Sequence, residues 1–136
     1  MDADPFTELA NRTDQKILAV WALDCALRVL PLFESAYPND PRPRDAIEAG
    51  HAWVRGEIRV GEARIAAFAA HAAARASTDP SAAFAARAAG HAAATAHTAG
   101  HAVHAAEYAV KAAAPEKRES EHAWQYANLL LLSRQR

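Results

Sequence analysis

The chain has 136 residues and a mass of 14.6 kDa, the size of one domain, and 38 of its residues are Ala. Fifteen Lys and Arg against 16 Asp and Glu leave a formal charge of −1, which excludes the basic footprint of a general nucleic-acid binder. A single cysteine, Cys25, excludes an intramolecular disulfide and fits a reducing compartment.

The start, Met1-Asp2-Ala3-Asp4-Pro5, is acidic where a secretion signal is basic and then apolar. Residues 14–29 predict a first long helix with Thr13 or Asp14 as N-cap. Its circumference is apolar almost all round (Ile17, Leu18, Val20, Trp21, Leu23, Leu27, Val29, Leu30), the pattern of a central helix. Pro31 interrupts the backbone ladder, so the helix kinks there or restarts through Leu32, Phe33 and Glu34. Asn39-Asp40-Pro41-Arg42-Pro43 is a loop into a second helix over about 43–55, with Ile47, Gly50, Trp53 and Val54 on one face. Gly56 and Gly61 bracket a short connection to a third helix over about 62–77. Asp79-Pro80-Ser81 then reads as an N-cap followed by Pro at the first position of a fourth helix. Thr98-Ala99-Gly100 predicts a break or kink in that helix, Pro115 ends the segment, and a last helix covers about 116–132. Ile58-Arg59-Val60 alternates but is too short for a strand.

These elements predict an all-α bundle of five or six helices in a single domain, 1–136, ordered over about 14–132. An Ala-rich, tightly packed centre is expected, capped by the large side chains of the first, second and last helices. The 19 residues 88–106 carry no Asp, Glu, Lys or Arg, yet His91, His97, His101 and His104 with Thr and Gly make a membrane span unfavourable. Residues 66–76 and 82–92 match at eight of eleven positions, with His and Arg exchanged.

Seven histidines are present, six of them between residues 51 and 104. In a continuous helix His97, His101 and His104 share one stripe with Tyr108 below, facing His71 on the third helix. The spacing of His97 and His101 can hold a transition ion, but supporting carboxylates are scarce, so no metal or cofactor is expected. Arg64, Phe68, His71 and Arg75 form a second stripe, and Phe84, Arg87, His91 and Thr95 a third. Asp24, on an otherwise apolar helix, needs a partner if buried; Arg75, Arg87 and His71 are the expected ones, the alternative being a pair with Arg28 one turn on, at the bundle edge. Arg42, Arg44, Glu48, His51 and Arg55 make a polar ribbon suited to partner contact. Cys25 lies among apolar residues, as an inert thiol does. No phosphate loop, HExxH, CxxC or Gly-x-Ser-x-Gly is present.

The strings WALDCALRVLPLFE (21–34), RPRDAIEAGHAW-RGE (42–57), AAFAAHAAAR (66–75) and AAGHAAATAHTAGHAVHAAEYAVKA (88–112), with Trp124-Gln125, carry a resemblance. The chain resembles the immunity-protein-five-like group of bacterial toxin systems over about residues 14–127. The resemblance implies a helical, cytoplasmic protein that neutralises a co-encoded toxin, the cognate toxin being its partner. It departs from the expected pattern at Gly50-His51 and near Ala99. Such a protein needs no catalytic group, and whether this chain is an enzyme stays open. The alternative is a small helical enzyme or ligand-binding protein using His71, His97, His101, Asp24 and Tyr108, with imidazoles as acid and base. Self-association into a homo-oligomer is also left open.

Overall fold

A computed structural model describes residues 5–134; the acidic start, Met1 to Asp4, and the last two residues lie outside them. Seven α-helices follow one another: α1 Pro5–Arg12, α2 Gln15–Ala36, α3 Arg42–Val54, α4 Val60–Ala76, α5 Pro80–Ala94, α6 His101–Ala112 and α7 Arg118–Ser133, with a 3-10 turn at Pro115–Lys117. The described residues contain no strand. The helix count is thus seven rather than five or six. The addition is α1, eight residues opened by Pro5, which reach back to lay Phe6 on Trp21 at 5.6 Å and on Tyr126 at 6.1 Å.

Local chemistry sets the other boundaries. The Asp14 carboxylate accepts the amides of Lys16 and Ile17 and starts α2. The helix neither restarts nor ends at Pro31 but runs on to Ala36. Pro31 lies on the exposed side of α2, so its ring meets water rather than a packed neighbour. Gly56, at φ +77°, makes the turn after α3. Asp79 caps α5 through the amides of Ser81 and Ala82. The Tyr37 hydroxyl, at the end of α2, accepts from Ser77 Oγ and the Thr78 amide and so ties down the α4–α5 loop. Those bonds bring the Tyr37 phenol down to about 8.

The expected break after α5 is present: the chain leaves the helix at Thr95 and resumes at His101. Gln15 Nε2 donates to the carbonyls of Thr95 and Ala96, which the end of α5 leaves free.

Two helices are inner. α2 touches α3, α5, α6 and α7, and α5 touches α2, α3, α4 and α6. The methyls of Ala82, Ala85, Ala86, Ala88, Ala89, Ala92 and Ala93 on α5 are all buried, as are Ala102, Ala105 and Ala109 on α6. Trp21, Leu23, Leu30 and Phe33 of α2 with Leu129 of α7 are the largest apolar side chains wholly buried. Trp21 Nε1 donates to the Gln125 carbonyl at 2.8 Å, and Gln125 Nε2 donates to the Ala106 carbonyl at 2.9 Å, so one buried relay joins α2, α7 and α6.

Candidate functional site

The short loop after α4 folds α4 and α5 into an antiparallel hairpin, and α6 returns antiparallel on the other flank of α5. This brings the exchanged positions of the repeat together. Arg87 of α5 donates from Nη1 to His71 Nδ1 of α4 at 3.1 Å. A guanidinium only donates, so His71 Nδ1 accepts and the proton of its neutral ring is on Nε2. The ring lies on Gly90: a Cβ there would stand 2.7 Å from its Cε1 and Nε2. Gly90 is therefore the position that lets an imidazole cross onto α5.

His91 is the hub of the cluster. Its ring meets His71 edge-on at 4.8 Å, stacks on Tyr108 at 5.3 Å and 8°, and lies 5.5 Å from His104. His91 Nδ1 and His101 Nδ1 are 3.0 Å apart, a bond that requires one nitrogen to accept and therefore one neutral ring. Burial, then the charges of Arg87 and Arg75 and the His101 ring, hold His71 down at about 4. Burial, then the neighbouring imidazoles and Arg87, do the same to His91, and His101 is lowered by burial, His104 and His97. His71, His91 and His101 are neutral rings at neutral pH, beside the permanent cation of Arg87.

The other expected site residues are dispersed. His97 falls in the turn after α5, where it is exposed rather than inward-facing with His101. The break at 95–100 takes it off the α6 stripe, because the i, i+4 rule holds only within one helix. Asp24 is half-buried and accepts from Asn128 Nδ2 of α7 at 3.1 Å; its partner is none of Arg75, Arg87 or His71, nor Arg28, which binds Glu121. Trp21, Asp24 and Arg28, at intervals of three and four, form the side of α2 that meets α7, away from the imidazoles. Tyr108 does join the cluster, stacked between His91 and Phe84. The ribbon on α3 is exposed or half-buried, but its arginines are engaged at home: Arg42 with Asp40, Arg44 with Glu34, Arg55 with Glu57. The hub residues Arg87 and His91 were legible in the third stripe, Phe84, Arg87, His91 and Thr95, which the structure sets against His71 of the second.

Among the described residues no group of three or more His, Cys, Asp or Glu is arranged to hold a metal ion. The acid nearest the cluster, Glu107, accepts from His104 at 3.0 Å. Cys25 is wholly buried, and its thiol is pushed up by burial and by Asp24. A hollow of about 480 Å³ lies elsewhere, between α1, α6 and α7, lined by Phe6, Val110, Lys111 and His122 among others. No helix of the described residues is long and apolar enough to cross a membrane.

The sequence model of the family described as "Imm-5 like putative immunity protein" matches residues 8–131. The chain belongs to this immunity-protein family. The match takes in α2 to α6 whole and all but the ends of α1 and α7, so every imidazole of the cluster falls inside the family's region. Searches of curated proteins and of solved structures found no match.

Proposed function

We propose that this chain is an immunity protein that binds and neutralises a bacterial toxin encoded beside it, acting in the cytoplasm. The observation that carries the reading is the family match over residues 8–131. The geometry supports it. A protein that plugs or restrains a toxin needs a rigid body and a specific surface, and no reactive group. The buried methyls of α5 and α6 supply a close-packed interior. Asp24 is spent on Asn128, and Cys25 is sealed in α2.

The test is co-expression. The neighbouring gene product should arrest growth alone and be tolerated when this chain is present, and the two should co-purify. Failure of both protection and co-purification refutes the reading. One observation favours a second reading, a ligand-binding or acid–base site: three imidazoles on α4, α5 and α6 converge with Tyr108. Imidazole proton signals that shift on adding a small-molecule extract would favour it, and unmoved signals count against it.

A further inference from the structure

The arginines of this chain differ in what they bind: Arg12 and Arg118 donate to backbone carbonyls, and Arg59 and Arg134 hold no carboxylate among the described residues. Arg28, Arg42, Arg44 and Arg55 each bind a carboxylate of the same chain. Arg64, Arg75 and Arg87 bind none among the described residues, and all three lie on the α4–α5 hairpin. Acids are scarce there. α5 has none, the one acid on α4, Glu62, is turned back onto the Arg59 amide in the first turn, and Asp79 in the joining loop is engaged by the Ser81 and Ala82 amides. In a chain with a formal charge of −1, this hairpin is locally cationic.

Apolar groups share the surface. Ile65 is 71% exposed and Phe68 is 59% exposed, and the Arg64 guanidinium lies over the Phe68 ring at 5.6 Å. Arg64, Phe68, His71 and Arg75 follow one helical stripe, which continues across to Arg87 through the His71 bond.

We propose that this face, built from Arg64, Phe68 and Arg75 of α4 and Arg87 of α5, docks an acidic surface of the partner toxin; the inference rests on the immunity reading above. Charge complementarity selects the occupant. Arg87 is half-buried, and the ring nitrogen it meets satisfies one N–H but none of its charge. An incoming carboxylate supplies both, by paired N–H···O bonds to the guanidinium fork. Exposed Phe beside Arg is the composition of an interface centre, where few residues carry most of the affinity. A nucleic-acid backbone fits less well, because it needs a continuous basic track and this chain has 16 Asp and Glu against 15 Lys and Arg. The α3 ribbon fits less well too, since each of its arginines would have to leave an acid of its own chain before binding another.

The experiment compares the affinity of the purified neighbouring toxin for the wild-type chain and for Arg64→Glu/Arg75→Glu, Phe68→Ser and Arg44→Glu. All four positions are exposed, and circular dichroism checks that each variant stays helical. The double reversal and Phe68→Ser should each weaken binding about thirtyfold or more, while Arg44→Glu stays within about threefold. Face variants that bind like the wild type, or loss of binding through Arg44→Glu alone, overturn the proposal. A toxin that does not bind the wild-type chain at all overturns the immunity reading instead. The face is then judged with a polyglutamate peptide and an oligothymidylate at low salt. Peptide binding that is lost in Arg64→Glu/Arg75→Glu upholds the face. Absence of peptide binding, or oligonucleotide binding in its place, overturns it.

Discussion

Acid should loosen this protein before it reaches the ordinary carboxylates. In the unfolded chain an imidazole takes its proton near pH 6.5, whereas His71 and His91 in the folded chain are held down at about 4. Between those values the unfolded state binds more protons, so stability is complete above about pH 6.5 and falls as the pH drops toward 4. Taken whole, the gap is worth about 3 kcal/mol for each ring. Both rings are only half-buried, and solvent screening brings this to about 1–2 kcal/mol each. By pH 5 the pair should cost about 2 kcal/mol. Glu34, Asp40 and Glu57 are each held below their ordinary values by their arginine partners. Urea unfolding followed by circular dichroism at pH 7.5, 6 and 5 measures the loss, on the wild type and on His71→Gln/His91→Gln. Gln keeps an acceptor for Arg87 but cannot charge. The variant should lose less than half as much as the wild type. A wild type equally stable at pH 7.5 and 5, or a variant with the same slope, refutes the reasoning.

Pro31 withholds an amide from the α2 ladder at an exposed position, so Pro31→Ala should stabilise by about 1–3 kcal/mol. A thermal midpoint that does not rise rejects this. A Cβ on Gly50 would stand 2.6 Å from Leu23 Cδ2, and Leu23 is 0% exposed with nowhere to turn. Gly50→Ala should therefore cost about 1–2 kcal/mol despite its better helix propensity, and a raised urea midpoint would show that Leu23 has room. Cys25 should resist Ellman's reagent in the native protein and react in denaturant, since burial both hides its thiol and disfavours the thiolate. Native labelling at the rate of a free thiol would contradict its placement.

Helix boundaries were legible wherever a side chain itself makes the boundary. Asp14 and Asp79-Pro80 cap α2 and α5, and the weakness at Thr98-Ala99-Gly100 is a real break. The α1 helix was not, because eight residues are too few to show a period, and its order comes from Phe6 meeting Trp21 and Tyr126. Nor was the partner of Asp24. A helix apolar all round does not say which neighbour lies on which side, and the side bearing Trp21, Asp24 and Arg28 turned out to face α7. The imidazole stripe was half legible. Residues 101, 104 and 108 share α6, while reaching back to His97 assumed a continuity that the break removes.

The alanines of α5 have a consequence for how this protein can diversify. α5 touches four other helices, and a buried methyl on it cannot be enlarged without prying a neighbour away, nor deleted without leaving a hole and a weaker helix. Drift along α5 is thereby confined to its few non-alanine residues, among which Phe84, Arg87 and His91 point toward the cluster. Related chains should look most alike where the helices touch and should part company at those positions and at 64, 65, 68 and 75. The outer wall can then be repainted without moving a beam.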